Sequence, residues 1–207
     1  MRKDSKPNEK NYYSNKNKGK AKDFEALFGP LGYDVLTLHD VAEEMDVEET
    51  GTTFEENALL KATALANHLQ TIVISDDSGL EIDALDGRPG IFSARYAGGE
   101  KSDEANIDKV LEELKDVKES DRTARFVCAI AVASPTKEPI TVRGTCEGII
   151  ATERKGTNGF GYDPIFYVPS EQKMMAELSG EEKGAISHRG NAIKQLASNL
   201  TELLQDA

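Results

Sequence analysis

Apolar residues recur along this chain with two periods, and the switches between them mark out its elements. Over residues 53–69 they fall at helical spacing, where Ala58, Ala62, Leu65, Ala66 and Leu69 make one stripe rich in small side chains, suited to close packing. Thr53-Phe54-Glu55-Glu56 ahead of that stripe reads as a capping box. Over residues 71–75 the apolar positions become consecutive, the mark of a strand covered on both faces. Asp76-Asp77-Ser78-Gly79 follows and reads as the turn that closes it. Residues 125–133 and 139–150 read as two strands joined at Ser134-Pro135-Thr136-Lys137, an antiparallel hairpin. Helices are predicted over residues 21–28 with Gly29-Pro30 as the stop, over about 103–114 with Ser102 as cap, and from Ser187-His188-Arg189 to about Leu200. Residues 33–38 read as a short strand, and Arg88-Pro89-Gly90 as a turn into an extended piece ending at Ser93-Ala94-Arg95. Helices alternating with strands, plus one antiparallel element, make the fold mixed α/β.

Composition narrows what such a fold does. The 207 residues support one substantial core. A net charge of −12 argues against nonspecific binding to nucleic acid or membrane surfaces. The first 22 residues run against that balance, with eight Lys or Arg against Asp4 and Glu9. Residues 1–18 are polar and are expected to form a loose N-terminal arm, leaving residues 19–207 as a single domain. Cys128 and Cys146 sit among apolar or β-branched neighbours and read as buried thiols in a reducing compartment. With no apolar stretch of membrane-spanning length and no apolar N-terminal signal, the expected location is cytoplasmic.

Polar chemistry gathers in four places. Asp76-Asp77, where a buried strand meets a glycine turn, is the kind of strand end at which α/β proteins bind ligands and metals, although a solvated turn accounts for it equally well. Glu56 completes a capping box or, alternatively, stands beside Asp77 as a second oxygen ligand for Mg²⁺, an ion that needs only one or two protein carboxylates when phosphate and water complete its shell. Asn57 and Lys61 lie four residues apart on one helix face, and Lys61 would meet phosphate as a point charge. In Lys155-Gly156-Thr157-Asn158-Gly159-Phe160-Gly161-Tyr162-Asp163-Pro164 the glycines let backbone approach a ligand, and Phe160 offers a face to a planar ring. Neither a Walker A ending nor GxGxxG spacing is present, and a purely structural loop anchored by Phe160 and Tyr162 is the competing account. Ser187-His188-Arg189, at a helix start, favours an anion or a carbonyl oxygen, or is a cap with two surface residues. His39, His68 and His188 are scattered, with no zinc spacing.

Taken in order, Asn17-Lys18-Gly19-Lys20, Thr53 to Ala58, Ser75-Asp76-Asp77-Ser78-Gly79-Leu80, Pro89 to Tyr96, Gly159 to Pro164 and Ser187-His188-Arg189 closely resemble the non-canonical purine nucleoside triphosphate pyrophosphatases, also called the inosine/xanthosine triphosphatase family. The resemblance implies a mixed twisted sheet flanked by helices, with two lobes and an active-site cleft between them, assembled as a homodimer. It implies Mg²⁺-dependent hydrolysis of ITP, dITP and XTP to the monophosphate and pyrophosphate, which clears nucleotide pools. It further implies Asp77 as general base, with Glu56 and Asp76 beside it on the metal. Lys61, Lys20, Lys183 and Asn17 would engage phosphate, with Ser78 and Gly161 in the substrate-binding set. Phe160 would stack on the purine, Tyr162 and Asp163 would shape its surroundings, and His188 and Arg189 would address its 6-oxo edge. Arg95 would be a substrate contact or a structural partner. The family opens on an apolar strand running into Ser/Thr-x-Asn-x-x-Lys, whereas this chain has Pro7 to Ser14 in place of that strand and Asn15 in place of Ser/Thr. That departure motivates a second reading, a nucleotide-binding protein with impaired turnover.

Overall fold

The predicted hairpin forms almost to the residue, as strands β5 (Thr123–Ala133) and β6 (Ile140–Ile150). In the computed structural model, which describes residues 10–13, 24–25, 29–31, 34–37, 47–99 and 101–204, the hairpin is the middle of a mixed sheet. The other strands are β1 (Lys10–Tyr13), β2 (Asp34–Thr37), β3 (Val73–Ile82), β4 (Pro89–Gly90), β7 (Phe166–Val168) and β8 (Lys173–Met174). Their order is β2-β1-β3-β5-β6-β7-β8, with β4 also on β3. β1 runs parallel to both β2 and β3, and β3 is antiparallel to β5 over its whole length.

Two expectations change here. Lys10–Tyr13 belong to the stretch expected to be a loose arm, yet they form the strand between β2 and β3. Backbone hydrogen bonds supply that pairing whatever the side chains, so the missing apolar run does not remove the strand. The missing apolar run therefore no longer motivates the reading of impaired turnover, and Asn15, the other departure behind it, lies outside the described residues. The second change concerns β3, which was expected to stop at Ser75 and instead runs on through Asp76-Asp77-Ser78-Gly79 to Ile82. Ten-residue pairing with β5 outweighs the local turn preference of Asp, Ser and Gly.

Helices cover the sheet unequally. α1 (Phe54–Leu69) starts at the capping box expected for it, with Thr53 and Glu56 each bonded to the other's backbone, and ends at Gln70 in the left-handed region. Its Ala58, Ala62, Leu65 and Ala66 lie against Val73, Val127, Ala129 and Ala131 on one face of the sheet. The small side chains let the helix sit close to the strands. On the opposite face, α4 (His188–Leu204) packs Ala192 and Leu196 against Ile74, Cys128, Ile130 and Val142. Beside it, α2 (Asp103–Glu113), capped by Ser102 as expected, packs Ile107 and Val110 in a cluster with Leu80, Phe126, Ile150 and Phe166. Covered on both faces, β5 is buried at every residue from Phe126 to Ala133, while β6 largely alternates. Near the start of α1 an ion ladder crosses the sheet. Arg143 bonds Glu55 at 3.0 Å and Glu81 at 2.9 Å, and Arg125 grips Asp83 with two bonds of 2.9 and 3.0 Å.

Of the helix expected over residues 21–28, Phe24 and Glu25 are described and helical, with Phe24 fully buried. Ser93-Ala94-Arg95 is a 3-10 turn rather than an extended piece. A short helix α3 (Gly180–Ile186) precedes α4, although the sequence reading assigned none there. No described helix is long and apolar enough to cross a membrane.

α4 lies so close to β6 that a Cβ on Gly144 would stand 2.2 Å from both Ala192 N and the His188 carbonyl oxygen. Both are backbone atoms, so no side-chain rotation relieves the clash. Gly144→Ala is expected to cost about 3 kcal/mol of stability. Gly184→Ala, where a Cβ meets nothing within 4 Å, is expected to gain up to about 1 kcal/mol. Urea denaturation of the two variants checks this, and equal effects would remove the close-packing account.

Candidate active site

β3 organises the site because its outer edge is interrupted. β1 pairs with it at Val73 and Ile74, and β4 at Leu80 and Glu81. Between them, residues 75–79 have no strand on that edge among the described residues. The notch is framed by paired backbone on both sides, at residues 73–74 and at residues 80–81.

Alternation along β3 then sorts the side chains. Asp77 points to the α1 face, where its Oδ2 accepts from Asn57 Nδ2 at 3.2 Å and its Oδ1 from the Ser78 amide at 3.0 Å. Asn57 is buried and accepts in turn from the Gly51 amide at 2.8 Å. Lys61, one helical turn on, donates to the Asp76 carbonyl at 2.9 Å and to Glu49 Oε1 at 2.7 Å. Burial pushes the Asp77 carboxyl up to about 6; the Lys61 ammonium opposes that rise, and Glu49 adds to it. A carboxylate tuned toward neutrality, next to a fixed cation, is suited to take a proton from water.

Asp76 faces the other way. Its Oδ2 lies 3.4 Å from Arg189 Nη2 and 3.4 Å from Ser78 Oγ, and its side chain is almost wholly buried. The adjacent aspartates thus stand on opposite faces of the sheet, which separates the roles that their adjacency in sequence joined. His188 and Arg189 occupy the first turn of α4, and the imidazole stacks on Phe126 with centroids 5.2 Å apart.

Glu56 is committed to its cap. Its Oε2 accepts from the Thr52 amide at 2.6 Å, the Thr52 hydroxyl at 2.9 Å and the Thr53 amide at 3.2 Å. Those bonds hold its carboxyl below the usual range. Among the described residues no hydrogen bond joins it to Asp77, and no group of three or more His, Cys, Asp or Glu is gathered as for a metal.

The glycine-rich loop turns through left-handed backbone at Gly156, Gly159 and Gly161 and presents Phe160 with 66% of its surface exposed. Asp163, buried below, accepts from the Phe160 amide at 3.1 Å and pairs with Lys183 of α3. Burial raises the Asp163 carboxyl and Lys183 opposes the rise. The Lys183 ammonium lies 5.3 Å from the Phe160 ring centroid. Tyr162 is buried and donates to the Ser93 carbonyl at 2.8 Å, which ties this loop to the 3-10 turn bearing Arg95. The Arg95 guanidinium lies over the Phe92 ring, 5.6 Å from its centroid.

The structure therefore brings together Asp77 with Lys61, Asp76 with Ser78 and Arg189, and Phe160, Asp163 and Lys183 with one another. Asn17 and Lys20 lie outside the described residues. Glu49 was missed by the sequence reading, because one acid in the run Glu48-Glu49-Thr50-Gly51 carries no periodic signal. The α3 helix behind Lys183 had a legible signature, the capping box of Ser179 and Glu182.

Comparison with known proteins gives this geometry a setting. The profile described as the Ham1 family matches residues 12–199. A curated protein of Halalkalibacterium halodurans, named dITP/XTP pyrophosphatase, is 62% identical over 181 residues, covering 87% of this chain and 93% of that protein. One of Bacillus subtilis with the same name is 54% identical, covering 89% and 93%. Among solved structures, the Staphylococcus aureus Ham1 protein is 51% identical with a TM-score of 0.89, covering 94% of this chain and all of that one. A HAM1 protein from Coxiella burnetii is 44% identical with a TM-score of 0.87, covering 94% and 99%.

The raised Asp77 carboxyl makes a stability prediction that is independent of turnover. Its native form holds the proton more tightly than the unfolded chain, so its favourable contribution is full below about pH 4 and is lost as pH climbs through about 6. In metal-free protein, wild-type stability measured against Asp77→Asn is expected to fall by up to about 3 kcal/mol between pH 4 and pH 7. Denaturant titrations at the two pH values check this, and a constant difference would show Asp77 to be unperturbed.

Proposed function

We propose that this chain, which belongs to the Ham1 family, hydrolyses non-canonical purine nucleoside triphosphates such as dITP, ITP and XTP to the monophosphate and pyrophosphate. The observation that carries the reading is Asp77, a carboxylate raised to about 6 and held by Asn57 beside the Lys61 ammonium. Relatives named dITP/XTP pyrophosphatase, more than half identical over most of the chain, supply the substrate class.

In this reading Asp77 takes a proton from water as the water oxygen bonds to the α-phosphorus, and the bond from that phosphorus to the bridging oxygen breaks to release pyrophosphate. Lys61 offsets phosphate charge that would otherwise repel the nucleophile, with Lys20 and Asn17 assigned to the same task. Asp77 and Glu49, two carboxylates near Lys61, are a donor set that fits Mg²⁺, since that ion needs few protein ligands when phosphate is present. Glu49 is placed ahead of Glu56 because it stands near Asp77 and Lys61, whereas Glu56 turns its Oε2 to the cap, and Asp76 is assigned to Arg189 rather than to the metal. When bound, Mg²⁺ would neutralise charge on the phosphate oxygens.

The base is assigned to the other part of the site. Phe160 is the stacking face, with the Lys183–Asp163 pair holding the loop beneath it. His188 and Arg189 are assigned to the 6-oxo oxygen. Adenine presents an amino donor there, which leaves a site donor facing a donor at a cost of about 1–3 kcal/mol for each unpaired group. A homodimer, the assembly implied by the family resemblance, completes the proposal.

Pyrophosphate release from ITP, dITP, XTP, GTP and ATP, with and without Mg²⁺, tests the activity. Inosine and xanthosine nucleotides are expected to lead, with Mg²⁺ required and Asp77→Asn slower by about 10²- to 10⁴-fold. Full activity in that variant would sink the base assignment. The His188→Ala/Arg189→Ala double variant is expected to lose at least about tenfold of the ITP:ATP preference; an unchanged ratio would move specificity elsewhere.

A further inference from the structure

Phe160 presents an unusual mechanical problem. Its ring is two-thirds exposed, so packing does not fix its direction, and the next residue, Gly161, has φ +60 with nothing within 4 Å of where a Cβ would stand. Exposed loop residues of this kind are normally mobile. Here two carboxylates bracket the residue through the backbone. Asp163 Oδ2 accepts from the Phe160 amide at 3.1 Å, and Asp103 Oδ2 accepts from the Gly161 amide at 2.7 Å. Fixing the amides on both sides of the Phe160 α-carbon sets the plane in which its side chain leaves the backbone.

Asp103 comes from a different part of the fold, 58 residues away in sequence. It sits in the first turn of α2, just after the cap Ser102, whose Oγ accepts from the Ala105 amide. The same helix grips the 3-10 turn of Ser93–Arg95 and the residues after it. Asn106 accepts from the Ala97 amide at 2.7 Å and donates to the Ala94 carbonyl at 3.3 Å, and Lys109 donates to the Tyr96 carbonyl at 2.9 Å. Tyr162 closes the circuit on the Ser93 carbonyl. α2 thus acts as a strut joining the glycine-rich loop to the turn that carries Arg95.

We propose that Asp103 is a positioning residue for the nucleobase, its carboxylate holding the Gly161 amide so that the Phe160 ring is presented before substrate arrives. The inference rests on the stacking role assigned to Phe160 above. Preorganisation of this kind appears in substrate binding rather than in the chemical step.

Two variants separate the clamp from a general effect on α2. Asp103→Asn and Asp103→Ala both remove a negative charge from the first turn of the helix, but only Asn keeps an oxygen that accepts from Gly161. With ITP as substrate, Asp103→Ala is expected to raise KM about five- to tenfold with kcat within about twofold, and Asp103→Asn to stay within about twofold on both. In the ligand-free protein, hydrogen exchange at the Gly161 amide is expected to quicken in the Ala variant alone. An unchanged KM in Asp103→Ala, an equal rise in both variants, or a fall in kcat without a change in KM would overturn the proposal. If the wild-type protein fails to hydrolyse ITP, the proposed activity falls, while faster Gly161 exchange in Ala than in Asn still supports the clamp.

Discussion

Ten consecutive residues of β3 are paired with β5, and that unbroken ladder fixes which face of the sheet each of its two aspartates can reach. Side chains alternate along a strand, so Asp76 and Asp77 cannot share a face once the ladder holds through them. Asp77 is delivered to α1, where Asn57 and Lys61 wait at the helical spacing that puts both on one side. Asp76 is delivered to α4, against Arg189. A single slip of register would exchange the two carboxylates and leave Asp77 among the apolar residues that α4 covers. Close packing on either side guards against such a slip: alanines of α1 on one face, and Gly144 beneath the first turn of α4 on the other.

The electrostatics follow from that framing. A carboxylate buried beside a second acid would be expensive to ionise without compensation. Lys61 provides it in part, and leaves Asp77 near the value at which a base works at neutral pH. The same arrangement keeps Lys61 bonded to Glu49 and to a main-chain carbonyl in the notch, so the ammonium is held in place beside Asp77. On the edge interrupted at residues 75–79, the Asp76 carbonyl is thereby satisfied by a side chain rather than by another strand.

Much of this was legible in the sequence, for identifiable reasons. The capping box, the small-residue stripe and the hairpin carry local signals, and each formed as read. Two of the misreadings share one cause. Asp-Asp-Ser-Gly looks like a turn when judged by neighbours alone, and Lys10–Tyr13 looks unlike a strand paired on both edges, because partners distant in sequence decide both. Glu49 and Asp103 escaped notice for a related reason. Each acts through one contact with a distant group, Lys61 in one case and the Gly161 amide in the other, and such contacts leave no periodic trace. The ordered motifs pointed to the family, but they could not reveal that neighbouring aspartates serve opposite faces.

Phe160 bears on how a protein of this architecture changes over time. A ring left mostly in water adds little to the folding free energy, and its loop is held by main-chain amides that any residue other than proline at that position would also offer. Replacement there is accordingly nearly free of a folding penalty. If Phe160 has the stacking role proposed for it, selection acts on the position chiefly through the ligand, and preference for one planar ring over another can drift or sharpen without the compensating changes that a core substitution demands.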